Sequence, residues 1–332
     1  MDFHPDEAQT AISRLAGEVL DGSSGDPEKA WAALGQAGLL SLAVPERLGG
    51  AGLGMLETAL VLTEIGRRAV EVPALPMLAA GVLTVARWGH RAQQDELLGG
   101  GPPLGAAIAE PGDPLPAAPR TALTADGTVI GVKTGIPAAD RILVTVDGPG
   151  VVVVDLDQEP GVTTDGGILR FDRARATRLG GAACHADLHR NVVASACAIG
   201  DGALAGALAL TAGHVRARRQ FGRPLATFQA VAQQIADVYV ASRTLHLAAL
   251  TAAWRLGAGR PADDDLDVAA LWLATEAPPA MRTCHHLHGG LGLSIDYPLH
   301  RHTTLIRDMV RLLGGGAHRL ALLGERLAHR TE

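Results

Sequence analysis

Residues 218–229 of the chain read RRQFGRPLATFQ, and they close a long run of Ala and other apolar residues. The Arg residues at the end of that run, a Gly-x-Pro stop and a following Thr that can cap a new helix predict a corner between two helices. Such a corner can hold an Arg fork, a backbone N–H and an aromatic ring against one extended anionic ligand, as a dinucleotide pyrophosphate requires. A plain helix–loop–helix connection explains the same residues without a ligand.

Three zones of different periodicity lie along the chain. Residues 1–104 carry apolar positions at helical spacing and predict an N-terminal helical domain. Residues 105–188 consist of short Val- and Ile-rich runs between turns, which predicts a middle β domain with the run 151–154 buried on both faces. Residues 189–332 return to helical spacing and predict a C-terminal helical domain, so the fold class is α+β. The candidate helices of this last domain are 192–219, 227–256, 264–288 and 303–326.

Composition and charge agree with a globular enzyme of two or three domains, because 47% of the 332 residues are hydrophobic and 19% are charged. The net charge of −6 argues against a nucleic-acid-binding surface. The first residues are acidic and the longest apolar runs are interrupted, so we expect neither a signal peptide nor a membrane span. Cys184, Cys197 and Cys284 are odd in number and far apart, which argues against a disulfide framework and favours a reducing, cytoplasmic location.

Three motifs resemble those of the acyl-CoA dehydrogenase family, flavoproteins that oxidise CoA thioesters between Cα and Cβ. Residues 218–229 are similar to the family signature Arg-x-Gln-Phe-Gly-x-Pro-Leu-x-x-Phe-Gln, and residues 286–292, HLHGGLG, are similar to its Gln-x-x-Gly-Gly-x-Gly flavin-binding turn. Residues 44–52, VPERLGGAG, resemble a loop of its N-terminal domain. The resemblance implies an N-terminal helical domain, a middle β-barrel or sandwich-like domain and a C-terminal four-helix bundle that mediates oligomerisation.

The resemblance also implies FAD as the cofactor and assigns its ADP part to the C-terminal domain. The candidate cofactor-binding residues are Arg218, Gln220, Phe221, Gln229, His286, Gly289 and Gly290. The arginine is expected to pair with the pyrophosphate, with the glutamine and phenylalanine of the same motif packing and hydrogen bonding beside it. The two glycines let the backbone approach the cofactor, and the histidine replaces the usual Gln as a polar contact. Gln229 is equally explained as a helix-surface amide.

The family's reaction removes a proton from Cα with a Glu base while Cβ gives a hydride to the flavin. That Glu lies either before the Arg that opens the first C-terminal-domain helix or in a loop before the last helix. In this chain His189 stands at the first place, and residues 313–318, LGGGAH, contain no carboxylate at the second. A lone His at a helix start is more often a capped or solvated side chain than a substitute base. We therefore expect no catalytic residue in this chain.

The middle domain departs from the family as well. Residues 110–112, EPG, keep the core of a loop near the flavin, but Ala109 replaces the usual hydroxyl residue. Residues 133–137, KTGIP, stand where the family has Lys-x-Trp-Ile-Thr/Ser, so the aromatic wall and the hydroxyl donor to the isoalloxazine ring are both missing. The chain has kept the segments that face the ADP part of FAD and has lost those that hold the ring.

This pattern resembles the short, base-lacking subunit of heteromeric acyl-CoA dehydrogenases that degrade sterol side chains in bacteria. The matching stretches are residues 227–232, 277–281, 284–290 and 312–315. The likeness implies an α2β2 heterotetramer, a steroid propanoyl-CoA side chain as substrate, and a larger subunit that supplies the Glu base. It also implies an electron-transfer flavoprotein as electron acceptor. A self-sufficient homo-oligomeric dehydrogenase and a flavin-free structural subunit remain alternatives.

Two further interpretations of the segment 284–302 are weaker. A metal site is suggested by the crowding of Cys284, His285, His286, His288, His300 and His302. The flavin-binding turn explains the first His pair better than a metal does, so we expect no metal ion. A Rossmann dinucleotide site would require a strand before the glycines, whereas the pattern here is helical.

Overall fold

The computed structural model of the chain describes residues 5–23, 25–100, 104–135 and 139–328. The chain divides into two compact units. The first comprises Met1–Leu39, Ala59–Val72 and Ala194–Glu332, and the second comprises Leu40–Thr58 and Pro73–Val193. The three-domain division at 104 and 188 stays a prediction.

The N-terminal part is helical, as its periodicity predicts. Its helices are α1 (Glu7–Gly22), α2 (Pro27–Gln36), α3 (Met55–Arg68), α4 (Leu83–Trp88) and α5 (Arg91–Leu98), and a π-helical turn, Leu75–Val82, precedes α4. A reciprocal capping box starts α1, because the Asp6 carboxylate accepts from the Gln9 N–H at 2.8 Å and the Gln9 side chain accepts from the Asp6 N–H at 3.1 Å. Pro27 occupies the first turn of α2, where its missing N–H leaves no helical bond unmade.

Two four-stranded sheets form the β part of the second unit. The strands are β1 (Leu104–Ala107), β2 (Ala122–Leu123), β3 (Thr128–Thr134), β4 (Arg141–Val146), β5 (Gly150–Asp155), β6 (Val162–Asp165), β7 (Ile168–Arg175) and β8 (Thr177–Gly180). One sheet has the order β1-β4-β5-β8 and the other β2-β3-β7-β6. The pairing of β1 with β4 is parallel, and the other pairs within both sheets are antiparallel. The β-rich middle zone is therefore confirmed.

The core of this β part is built from the Val and Ile runs that predicted the strands. Val151, Val152 and Val154 in β5 are each at most 1% exposed, while Val153 is half-buried. Burial of the run 151–154 on both faces is confirmed for these three residues. Ile142 and Val144 in the adjacent β4 lie in the same core and are fully buried.

Five long helices and a small hairpin make up the C-terminal part. They are α6 (Ala182–Ala217), β9 (Arg219–Gln220), β10 (Arg223–Pro224), α7 (Gln229–Gly257), α8 (Asp263–His288), α9 (Leu299–Leu312) and α10 (Gly315–Ala328). The expected helical C-terminal region is confirmed, but its last candidate helix is two helices. Gly314 and Gly315 have φ of +80° and +82° and separate α9 from α10, because glycine adopts this left-handed conformation without strain.

The helix α6 begins ten residues before the predicted start at 192. His189 therefore lies within a helix and does not start one, and the predicted boundary at 188 falls inside α6. The helix can start early because β8 ends at Gly180, and Gly181 alone connects it to α6, while the residues that follow are compatible with a helix.

Glycines let α3 and α6 approach closely within the first unit. A Cβ on Gly202 would lie 1.9 Å from the Thr63 carbonyl oxygen, and one on Gly66 would lie 2.1 Å from the Ile199 carbonyl oxygen. Such separations exclude any side chain, so the Ala- and Gly-rich composition of α6 permits tight helix packing. By length and composition alone α6 could cross a membrane, because its most apolar stretch of 18 residues has a mean hydropathy of 1.7. In this structure 83% of that stretch is buried, as in the core helix of a globular protein.

Candidate functional site

The predicted corner at residues 218–229 is a two-residue β-hairpin. After α6 ends at Ala217, β9 pairs antiparallel with β10, and Phe221 and Gly222 form the turn between them. Their φ angles are +51° and +78°, the two positive values that a type I′ turn requires. The Arg219 guanidinium donates to the Gly222 carbonyl oxygen at 2.9 Å and closes the turn. The chain reverses within two residues and holds the Phe221 side chain at the tip.

The expected Thr cap on the following helix is wrong. The Thr227 hydroxyl donates to the Pro224 carbonyl oxygen at 2.7 Å, and α7 begins after Phe228, which makes no side-chain capping bond. A 3-10 turn, Leu225–Thr227, takes the place of the expected cap and draws the hydroxyl back towards the hairpin. The Phe228 ring instead packs under the Arg223 guanidinium at 4.0 Å.

Phe221 is held in an unusual conformation and an unusual environment. Its side chain is 92% exposed and its φ is left-handed, although Asn or Gly is typical of this turn position. A bulky residue in the left-handed region is strained by about 1–3 kcal/mol, and such outliers cluster at binding sites. Its ring makes an edge contact with Phe228 at 6.2 Å between centroids, which leaves its outer face open.

The second candidate segment lies at the end of α8. Gly289 ends the helix with φ +60° and ψ −140°, a region that only glycine readily adopts, and its N–H bonds back to the carbonyls of His285 and His286. A Cβ placed on Gly289 or on Gly290 meets no atom within 4 Å. The His286 side chain is exposed. The backbone of this turn is therefore open to an incoming ligand, as the flavin-turn resemblance requires.

A stacked pair of imidazoles brings the two segments together. His214, in the last turn of α6, lies over His288 at 4.6 Å between ring centroids with an interplanar angle of 24°. The Arg218 N–H donates to the His214 carbonyl oxygen at 2.8 Å. Burial lowers the pKa of His214, and the charge of Arg218 lowers it further. The sequence reasoning missed His214, although its position four residues before Arg218, in the last turn of α6, was a usable signal.

The remaining candidate residues lie in the segment 218–229, which follows α6 and includes the hairpin. The side chains of Arg218, Gln220 and Gln229 are exposed, and Gln229 is the first residue of α7. Exposure at a helix start suits both interpretations of Gln229, as a cofactor contact and as a surface amide. The hairpin and the turn after α8 thus offer a cation, amides, an aromatic ring and open backbone on one unit.

The histidine cluster at 285–302 is occupied by internal hydrogen bonds. His285 contacts the Gly292 carbonyl oxygen and the Thr303 hydroxyl, and His302 contacts the Pro298 and Arg67 carbonyl oxygens. Within residues 5–23, 25–100, 104–135 and 139–328, no group of three His, Cys, Asp or Glu side chains is placed to hold a metal ion. The helical setting before Gly289 also lacks the strand that a Rossmann fingerprint needs.

The retained loop residue Glu110 is engaged within the second unit. Its carboxylate accepts hydrogen bonds from the Lys133 ammonium at 2.9 Å, the Thr121 hydroxyl at 2.8 Å and the Arg120 N–H at 2.9 Å. The side chains of Glu110 and Lys133 are 2% and 0% exposed. Burial opposes its ionisation, but these bonds outweigh burial and lower the pKa of Glu110 to about 2. A carboxylate of this pKa is a poor proton acceptor near neutral pH.

The two places for the family's Glu base contain other groups. His189 lies on α6 with its ring 4.3 Å from that of His185, four residues earlier on the same face. The nearby Asp187 is buried, accepts from the Trp88 indole N–H at 2.9 Å and pairs with Arg87 at 3.3 Å. At the second place, the Leu313 carbonyl oxygen accepts from Arg319 Nε at 2.7 Å.

These residues fit one part of FAD and not the other. The open glycine turn and the exposed Arg218 suit the ADP part, because backbone without a Cβ and an exposed cation are the kinds of group that contact a pyrophosphate. In the loop that faces the ring in the family, Glu110 and Lys133 bond to each other, and no aromatic side chain lies between Lys133 and Gly135. Residues Ile136 and Pro137 of the altered Lys-x-Trp-Ile motif lie outside the described residues.

Comparisons with known proteins agree with the fold and the motifs. Residues 6–100 match the family model "Acyl-CoA dehydrogenase, N-terminal domain", and residues 187–327 match "Acyl-CoA dehydrogenase, C-terminal domain". The chain is 42% identical over 347 residues to acyl-CoA dehydrogenase FadE28 of Mycobacterium tuberculosis, covering 98% of this chain and 99% of the relative. It is 32% identical to FadE27 of the same organism, covering 99% of both chains.

Solved structures with the same fold include two heteromeric relatives. The ChsE4-ChsE5 complex from Mycobacterium tuberculosis matches with a TM-score of 0.89 and 32% identity, covering 99% of both chains. A variant of the "Tcur3481-Tcur3483 steroid ACAD" matches with a TM-score of 0.88 and 30% identity, covering 98% of this chain and 99% of the other. The expected family and fold are confirmed, and this chain belongs to the acyl-CoA dehydrogenase family of FAD-dependent oxidoreductases.

Proposed function

We propose that this chain is the short, base-lacking subunit of a heteromeric α2β2 acyl-CoA dehydrogenase. The complex introduces a Cα=Cβ double bond into a CoA thioester, with a steroid propanoyl-CoA side chain as substrate. This chain completes FAD binding across the subunit interface, and a larger partner subunit supplies the Glu base and most of the substrate pocket. The observation that carries the proposal is the contrast between the open junction at Arg218 and Gly289 and the closed, internally bonded loop at Glu110.

The open junction supports an ADP-binding role. Arg218 gives a charge-assisted contact to the pyrophosphate, and the Gly289–Gly290 backbone approaches the same group without interference from a Cβ. Phe221 presents an exposed ring at the hairpin tip, where contact with the cofactor or the partner subunit offsets its exposure. Gln220, Gln229 and His286 are polar contacts around this core.

The closed loop supports assignment of proton abstraction to the partner. Glu110 is ionised and fully engaged, and the family's base positions carry His189 and a glycine turn. Bound FAD supplies the hydride acceptor of the reaction. In this assignment the Cα proton passes to the partner's Glu, and the residues of this chain bind and orient the cofactor.

The relatives support the substrate class and the assembly. The two solved relatives above are named as a complex and as a steroid enzyme, and FadE28 is named as an acyl-CoA dehydrogenase. These relatives align with almost the whole chain, which supports the same subunit organisation for this protein. An electron-transfer flavoprotein as acceptor and a cytoplasmic location, with neither nucleic acid nor membrane as a partner, complete the proposal.

The direct test replaces Arg218 in the complex co-expressed with a larger acyl-CoA dehydrogenase chain. Arg218→Ala should weaken FAD binding by roughly tenfold to a hundredfold, which corresponds to the loss of a hydrogen-bonded charge contact. The matched control is Arg216→Ala, an exposed arginine in the last turn of α6, two residues before Arg218, which should retain flavin. Flavin content is read from the ratio of flavin to protein absorbance after gel filtration. Full flavin in the Arg218→Ala complex would contradict the assigned role.

A further inference from the structure

The stacked imidazoles of His214 and His288 lie where the two candidate FAD-binding segments meet. Arg218 follows His214 by one helical turn, and Gly289 follows His288 directly. A pyrophosphate bound by both segments needs them at a fixed separation, since an error of about 1 Å in a preorganised site already weakens it.

The orientation of His288 is fixed on both sides of its ring. Its Nδ1 contacts the Cys284 carbonyl oxygen at 2.8 Å, and because a carbonyl only accepts, Nδ1 carries the hydrogen. Its Nε2 lies 3.0 Å from the Tyr297 hydroxyl and, in the neutral ring, accepts from it. The side chain is 5% exposed. The His288 ring therefore has a fixed orientation at the end of α8.

The pair is disposed to remain neutral. Burial is the largest cause that lowers the pKa of both imidazoles. The charge of Arg218 further lowers the pKa of His214, that of His285 further lowers the pKa of His288, and the Tyr297 ring lies 5.0 Å from His288 between centroids. Because the pKa of each imidazole lies below its ordinary value, both rings are mainly neutral near pH 7 and can stack without charge repulsion.

We infer that His214 and His288 are positioning residues that set Arg218 at the correct distance from the Gly289–Gly290 turn by aromatic stacking. This inference rests on the proposed function, because it assumes that both segments meet the same FAD molecule. It differs from that function in that neither imidazole has to touch the cofactor. His214 acts through the helix end that carries Arg218, and His288 acts through the turn that follows it.

The test compares FAD affinity in variants of the co-expressed complex by titrating FAD into protein stripped of flavin. His214→Ala removes the stack and should weaken FAD binding roughly threefold to tenfold, the range that an aromatic pair contributes. His214→Phe keeps a ring at the same place and should restore affinity to within about twofold. The control is His90→Asn, an imidazole outside the junction whose helix-capping role Asn retains.

The assembly mass and melting temperature of each stripped complex are recorded alongside the affinity. Weakened FAD binding by His214→Ala in an intact heteromer, with rescue by His214→Phe, is the expected result. Wild-type affinity in His214→Ala would overturn the inference, and so would failure of the Phe variant to rescue in an intact complex. If the histidine variants overturn the inference but Arg218→Ala loses flavin, the proposed function still stands. If Arg218→Ala keeps flavin, both are overturned.

Discussion

The buried ion pair between Glu110 and Lys133 allows a quantitative prediction about stability. Replacing Glu110 with Gln removes the charge that the Lys133 ammonium contacts at 2.9 Å, and the lysine side chain is 0% exposed. An ammonium left without its carboxylate partner in such a place, with only neutral acceptors such as the Ile108 carbonyl and the Thr145 hydroxyl, costs about 3–5 kcal/mol of the free energy of unfolding. The pKa of Glu110 is lowered from 4.5 to about 2, and this shift corresponds to a contribution of about 3 kcal/mol to the free energy of unfolding near neutral pH. The two figures agree.

Lys133 contributes to stability with the opposite sign from Glu110. Burial lowers the pKa of Lys133, so the lysine itself is destabilised by its position, and the pair as a whole stabilises less than the carboxylate half suggests. The double variant Glu110→Gln/Lys133→Met should therefore recover most of the loss. Thermal unfolding followed by circular dichroism should show Glu110→Gln melting roughly 4–7 °C lower than wild type, for a chain of 332 residues.

An exposed ion pair supplies the control. Glu18 pairs with Arg14 on the surface of α1, with side chains 58% and 67% exposed, so Glu18→Gln should change the free energy of unfolding by about 0.5 kcal/mol or less. A Glu110→Gln variant that melts no lower than Glu18→Gln, or a double variant that melts as low as the single one, would refute a stabilising role for the charge of Glu110.

Three further predictions concern pH, helix packing and the hairpin. Because the pKa of Glu110 is lowered to about 2, its stabilisation is fully present above its ordinary pKa of 4.5 and is lost as the pH falls towards 2. Melting temperature measured across that window should fall more steeply for wild type than for Glu110→Gln. In α6, Gly202→Ala should destabilise the protein by about 1–3 kcal/mol or more, because its Cβ would lie 1.9 Å from the Thr63 carbonyl oxygen. Gly213→Ala on the same helix, with no atom within 4 Å, should be neutral or stabilising by up to about 1 kcal/mol in the same denaturant titration. Phe221→Asn should stabilise the isolated chain by about 1 kcal/mol because Asn tolerates the left-handed φ, yet lower flavin retention in the complex; equal flavin retention would contradict a binding role for this ring.

Periodicity was sufficient to predict the architecture. Apolar spacing separated the helical zones from the β zone, and the predicted helix 264–288 agrees with α8 to within one residue at its start. The family motifs predict that the two segments carrying Arg218 and Gly289 bind the cofactor, and this stays a prediction. These features are local, since each depends on spacing or on residues close together in the chain.

The features that sequence reasoning missed depend on contacts or on unusual local choices. A Phe-Gly turn gives no hairpin signal, because the type I′ turn normally shows Asn-Gly, and so the sequence predicts a corner between two helices at Phe221 without predicting a hairpin. A fully buried Lys133 contradicts the usual exposure of lysine and requires knowledge of Glu110 across the fold. His214 and His288 are 74 residues apart in the numbering, and their stacking follows only from the packing of α6 on α8.

The central claim is that this chain holds half of an FAD site and needs a larger partner to complete it. The most direct measurement is the flavin absorbance spectrum and assembly mass of the chain purified alone and after co-expression with a larger acyl-CoA dehydrogenase chain. The account predicts a colourless lone chain and a yellow heterotetramer that oxidises acyl-CoA. Flavin and acyl-CoA oxidation by the lone chain, or a stable heteromer without flavin, would contradict it.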